Sequence, residues 1–203
     1  MMIARRMLLL TVAAALTLSA AQVVVEPDNF AGGTDISSLT QRVTLVDAID
    51  SADGFPSVFA VESTLDPSHG RVFGWLNPWM LASGWHNNAP LQVNFAQPVD
   101  YVEIEFISYF EGQQGELHVY DLNGALLETV VTGELLGNQR KRLTYSSAAA
   151  NVGRIEAGSE LGSIDVDRLA FNQPAAVPEP STAGLLAGGA ILALLRKPGA
   201  SRR

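Results

Sequence analysis

The segment 22–172 of this 203-residue chain predicts an all-β fold, an antiparallel β-sandwich. Three observations carry the prediction. Short runs place apolar residues at every second position, as in Val102, Ile104 and Phe106 against Glu103 and Glu105. Turn-forming Gly, Asn, Asp and Pro separate those runs at short intervals. No stretch of the segment shows the 3.6-residue apolar period of an amphipathic helix.

In chain order, 22–26 is an apolar, β-branched run and makes a credible first strand. The loop 26–35 that follows is rich in oxygen-bearing side chains and glycine. Strands are expected at 42–49 and 58–63. From 64 to 90 the pattern becomes irregular, with a turn at Asp66-Pro67 and with Trp75, Trp79 and Trp85 among Gly, Asn and Pro. Leu91, Val93 and Phe95 then alternate with polar residues until Pro98 breaks the run. The run 102–106 follows, and Leu117 and Val119 alternate with His118 and Tyr120. Asn123-Gly124 predicts a two-residue hairpin leading into 126–131, because both residues tolerate φ > 0. Further strands are expected at 140–146, 154–157 and 164–171. The last puts Ile164 and Val166 on one face and Asp165 and Asp167 on the other.

Charge and composition narrow the function. Between 22 and 177 there are 20 acidic and 7 basic residues, a net charge of −13. Such a surface repels nucleic acid and anionic lipid, and suits a cation or a neutral glycan. Cysteine is absent, so neither a disulfide nor a thiol nucleophile is possible, and stability falls to the apolar core or a metal. His69, His86 and His118 lack the i, i+4 spacing of a helical zinc pair, and there is no G-x-S-x-G, H-E-x-x-H or phosphate loop. Glu103 and Glu105, two apart on one strand face, read as a solvated pair, and Arg140-Lys141-Arg142 as an exposed strand end. An enzyme is not expected.

The two ends of the chain carry sorting information. Arg5 and Arg6, the apolar run 7–18 and Ser19-Ala20-Ala21 make residues 1–21 a secretory signal helix, cut after Ala21 and handled by the secretion machinery. After a linker at 173–177, Pro178 and Pro180 hold Glu179 in an extended, exposed turn of chain. The run 183–195 contains only Ala, Gly, Leu and Ile, and Arg196, Lys197, Arg202 and Arg203 come directly after it. A helix over 181–195 would be about 22 Å long at about 1.5 Å per residue, short for a full span. A buried core helix would also be apolar all round, but it has no use for a cationic end, which is typical of the cytoplasmic side of a membrane.

The order P-E-P, short apolar helix and basic terminus resembles the PEP-CTERM sorting signal of Gram-negative bacteria. The resemblance covers 178–203, with the transmembrane helix at about 182–195 and the basic tail at 196–203. It implies recognition by an exosortase, a membrane-embedded cysteine-protease-like enzyme. The precursor would be held transiently in the inner membrane, then delivered to the cell surface or extracellular matrix. Family members are linked with exopolysaccharide and biofilm.

The runs QPVDYVEIEFI, ELHVYDLNGALLETVV and SIDVDRLAFN resemble the galactose-binding-like jelly rolls. That resemblance implies a structural calcium between the first strand's carboxylates and an Asp of the final strand. Here those would be Glu26, Asp28 and Asp35 with Asp167 or Asp165, although in so acidic a domain the same residues equally make a solvated face. Trp75, Trp79 and Trp85, with His86 and Asn87, form a candidate glycan platform, since aromatic faces stack on sugar rings; large aromatics in loops equally serve to lid a sandwich core. The expectation is therefore an exported, non-enzymatic surface or matrix protein that binds exopolysaccharide. The alternatives are a purely structural surface protein and, at lower weight, a carbohydrate-active enzyme.

Overall fold

A computed structural model describes residues 21–38, 43–47, 57–64, 66–77, 80–85 and 87–173. All of them fall within the compact unit Ser19–Pro174. Of the expected signal peptide at 1–21 and linker at 173–177, only Ala21 and Gln173 are described, in the first and last strands; the rest of both and the whole sorting motif at 178–203 lie outside the described residues.

The strands are β1 (Ala21–Val25), β2 (Thr34–Asp35), β3 (Val43–Asp47), β4 (Val58–Glu62), β5 (Arg71–Asn77), β6 (Met80–Ser83) and β7 (Leu91–Val99), followed by β8 (Tyr101–Ile107), β9 (Glu116–Asp121), β10 (Leu126–Val131), β11 (Arg140–Ser146), β12 (Val152–Gly158) and β13 (Asp165–Gln173). Among the described residues the only helical elements are single 3-10 turns at Pro27–Asn29 and Pro67–His69. The strands form two antiparallel sheets. The larger runs β11-β8-β13-β5-β4-β2, with β1 added to β13 and β6 to β5; the smaller runs β10-β9-β12-β7-β3.

Alternation built the sandwich. Val102, Ile104 and Phe106 of β8 and Leu169 and Phe171 of β13 point inward from the larger sheet, and Leu91, Val93, Leu117, Val119 and Ile155 meet them from the smaller one. The rings of Phe95 and Phe171 touch across the sheets, centroids 5.3 Å apart and tilted by 58°. Each fully buried side chain of this kind contributes about 1.5–3 kcal/mol of transfer free energy. The expected all-β antiparallel class is what the described chain shows.

Three expectations change. The stretch 64–90 is not irregular: it holds β5 and β6, with Phe73 and Trp75 facing the core. Gly74 sits in mid-strand because a Cβ there would collide with Val61 and with the carbonyl of Ala82. Pro98 does not end β7. It lies beyond Phe95, where β3 has stopped pairing, and inside a register shift against β12, so no ladder needs its missing N–H. The Asn123-Gly124 turn is a four-residue loop, 122–125, between the end of β9 at Asp121 and the start of β10 at Leu126. Gly124 takes φ +80° and Asn123 does not take positive φ. Asp121 closes the loop by accepting from the N–H groups of Asn123 and Ala125, both at 2.8 Å, and the Ala125 bond most of all holds its carboxyl below the usual range.

Candidate functional site

The outer face of the larger sheet carries charges that the sequence places in solvent but the fold buries. Glu105, Asp165 and Asp167 are buried. A bulge in β13 sets both Asp167 and Arg168 opposite Glu105. Arg140 reaches Asp167 at 2.9 Å and Glu105 at 3.0 Å, Arg142 reaches Glu105 at 2.9 Å, and Arg168 pairs with Glu26 at 2.9 Å and with Glu103. Arg140-Lys141-Arg142 is thus a strand end whose two arginines neutralise the sheet face beneath them. Asp165 accepts from Ser63 and lies 3.1 Å from Nδ1 of His69, whose Nε2 lies 3.3 Å from Oδ1 of Asn138. In this cluster Ser63 bonds the carboxylate and not the imidazole, so it is not a nucleophile–base pair. Burial pushes the Asp167 carboxyl up to about 7, against the pull of Arg140.

The four carboxylates expected to cage calcium are drawn to separate partners. Glu26 is paired with Arg168; Asp28 accepts from the N–H of Arg71 at 2.8 Å; Asp35 accepts from the N–H of Ser37 at 2.9 Å; Asp167 is held by Arg140. Among the described residues no group of three or more His, Asp or Glu is placed to hold a metal ion. Arg168 and Arg140 supply counter-charge to Glu26 and Asp167, Asp28 and Asp35 accept from backbone N–H groups, and the four do not converge on one cage.

The tryptophan platform also changes. Trp85 is fully buried, its indole N–H donating to the carbonyl of Phe73 at 2.8 Å, and Trp75 packs against the core. Trp85 is core and offers no face to a sugar, while Trp75 is half-buried against it. Trp79 and His86 lie outside the described residues. Asn87 does reach a surface site. Its amide donates to Glu116 at 2.9 Å, and it lines a cleft of about 640 Å³ together with Asn88, Ser159, Glu160, Leu161 and Ser163.

Beside this cleft three loops, 108–115, 132–139 and 159–164, converge at one end of the sandwich. They expose Tyr109 and Phe110, each at 49%, with Leu136 and Leu161. The two aromatic rings sit edge to face, 6.2 Å apart. What fixes them is Gln113, itself fully buried: its Oε1 accepts from the N–H groups of Tyr109 at 2.6 Å and Phe110 at 3.1 Å, while its amide donates to the carbonyl of Ser163. Ser108 ties the same loop to the carbonyl of Leu136, and backbone bonds join Gln113 to Leu135. Gly162 lies against Phe110, so aromatic ridge and polar cleft are continuous. Sequence reasoning missed this pair. The signal was present in SYFEGQQG: two adjacent large aromatics in a strand-free, Gly- and Gln-containing stretch cannot both point inward.

The outer face of the smaller sheet differs. Tyr120, Arg154, Glu156, Gln92 and Asn94 share it in register. There Arg154 lies 4.3 Å over the Tyr120 ring, the Tyr120 hydroxyl donates to Glu156 at 2.8 Å, and Gln92 donates to Asn94 at 3.0 Å. Arg154 covers one face of the Tyr120 ring, and a cleft of about 310 Å³ lined by Asn94, Asp121 and Arg154 opens beside it. The loop end pairs a cleft of about 640 Å³ with two exposed aromatics.

No protein-family model matches the chain, and its sequence matches no curated protein. Among solved structures it is similar to the K1 cleaved adhesin domain of Lys-gingipain from Porphyromonas gingivalis W83, at 9% identity over 76% of this chain and 99% of that one, with a TM-score of 0.42. It is similar to CBM29_1, a family 29 carbohydrate-binding module from Piromyces equi, at 6% identity over 78% and 94%, TM-score 0.41. It is also similar to CsCBM6-3 from Clostridium stercorarium, solved with cellobiose, at 13% identity over 74% and 93%, TM-score 0.34.

Proposed function

We propose that the protein is an exported, non-enzymatic surface or matrix protein whose galactose-binding-like sandwich binds a polysaccharide at the loop end. One observation carries the reading: the half-exposed Tyr109–Phe110 pair is clamped by buried Gln113 beside a cleft lined by Asn87, Asn88, Ser159 and Ser163. A sugar ring has an apolar face for aromatic stacking and hydroxyl edges for amide and hydroxyl groups. Because the aromatics are fixed before binding, less ordering entropy opposes the complex. Co-sedimentation of the protein with polysaccharides, the host's own matrix included, tests this. Tyr109→Ala and Phe110→Ala should each weaken binding about tenfold or more. Failure to bind any of them would leave the purely structural reading.

The sorting proposal rests on the residues of the tail, with an exosortase acting at Pro178-Glu179-Pro180 while the apolar helix and Arg196, Lys197, Arg202 and Arg203 hold the precursor in the inner membrane. Replacing Glu179, or shortening the basic end, should leave the precursor membrane-bound. Normal release of such variants would refute it.

A further inference from the structure

We infer that the loop end selects a polysaccharide carrying free amino groups, an amino-sugar polymer with charged ammonium substituents; this rests on the glycan reading above. Three exposed glutamates lie on the three loops that meet at the aromatic ridge, one on each. Glu111 follows Phe110, Glu134 precedes the Leu135 that bridges to Gln113, and Glu160 lines the cleft beside Leu161. The ion pairs among the described residues are made by other carboxylates. No Lys or Arg lines the cleft.

Among the described residues the cations are engaged elsewhere. Arg71 is held by the carbonyl of Asp28, Arg140 and Arg142 by Glu105, Arg154 by Glu156, Arg168 by Glu26, and Lys141 by the carbonyl of Thr132. An anionic polymer would therefore meet negative charge at the site and no available counter-charge. An ammonium group finds two complementary features there. Carboxylates accept charge-assisted hydrogen bonds from it, and the faces of Tyr109 and Phe110 attract it through their quadrupoles. The hydroxyls of the same sugar fall to Asn87, Asn88, Ser159 and Ser163. A lysine-rich peptide would satisfy the charge but would leave the amide and hydroxyl groups of the cleft unmatched.

The test is calorimetric titration of the full-length chain with glucosamine oligomers, with N-acetylglucosamine oligomers of the same length and linkage, and with lysine oligomers. Glucosamine oligomers should bind about tenfold tighter than the acetylated ones, with the advantage shrinking as salt rises. The combined Glu111→Gln, Glu134→Gln variant, altered only at exposed rim positions, should lose that advantage and still bind the acetylated oligomer. If acetylated oligomers bind as tightly as glucosamine oligomers, the glycan reading stands and the ammonium selectivity falls. If lysine oligomers bind as tightly as glucosamine oligomers, the site reads bare charge and the inference is wrong. If neither sugar oligomer binds, the amino-sugar inference is wrong, and co-sedimentation with other polysaccharides alone decides the glycan reading.

Discussion

Asp167 reaches Arg140 at 2.9 Å, yet burial wins over that pairing and raises its carboxyl to about 7 from an ordinary 3.8. The sign follows from linkage: a carboxyl with a raised folded-state pKa binds its proton more tightly folded than unfolded. Its contribution to stability is complete below about pH 4 and is lost as pH rises through about 7. The shift corresponds to a few kcal/mol at most, tempered by coupling to Arg140 and Glu105. In urea unfolding from pH 4 to pH 8, the wild type should lose stability relative to Asp167→Asn through that window. A constant difference between the two would show that Asp167 does not titrate there. The neighbouring carboxylates make a second prediction. Since Glu26, Asp28 and Asp35 each have protein partners, adding EDTA should leave the thermal midpoint unchanged. A drop of several degrees would restore a structural cation.

At the scale of the strand, the clearest prediction concerns the β9–β10 loop. Gly124 sits at φ +80° and Asn123 does not need positive φ, so Gly124→Ala should cost about 1 kcal/mol while Asn123→Ala costs little. Equal losses would bring back the two-residue hairpin. The same loop shows what the sequence could and could not reveal. Alternation located β8 and β9 because their inward residues, Val102, Ile104 and Phe106 and then Leu117 and Val119, are every second one, and the hydrophobic effect rewards that pattern wherever one face is buried. It failed on β5, where Gly74 interrupts the apolar rhythm for reasons of close approach to Val61, a contact distant in sequence. It also failed on Asp165 and Asp167, whose polarity says "outside". Asp165 is buried under Ser63 and His69, and Asp167 by the bulge in β13 and the arrival of Arg140 from β11. Of the binding site, Asn87 was legible as a residue near a surface. The exposed pair Tyr109 and Phe110 was legible in SYFEGQQG, but the clamp that fixes it was not, because it depends on Gln113 bonding to Ser163, fifty residues away.

For the folded unit as a whole, the topology separates its ends. Ala21 opens β1 opposite Gln173, which closes β13, so the chain enters and leaves the sandwich side by side. The loops bearing Tyr109, Leu136 and Leu161 lie at the other end, where Asp165 pairs with Ile107. At about 3.3 Å per residue, the nine residues of β13 put roughly 30 Å between the chain's exit and the binding ridge. The proposed signal cleavage after Ala21 would remove only the first residue of β1 and leave Val25, which is buried, in place. Deleting residues 22–25 as well is a different matter. It uncovers the edge of β13 from Leu169 onward, since β5 pairs with β13 only at Val166. An uncovered edge loses its ladder bonds and becomes a template for another chain. The deletion variant should therefore unfold at a lower denaturant midpoint than the wild type, by about 1–3 kcal/mol, and should self-associate on size-exclusion chromatography. Its folded fraction should still bind glycan, because the ridge lies at the far end. An unchanged midpoint would show that β1 adds nothing to the sandwich. Loss of binding from molecules that remain folded would show that the two ends are coupled.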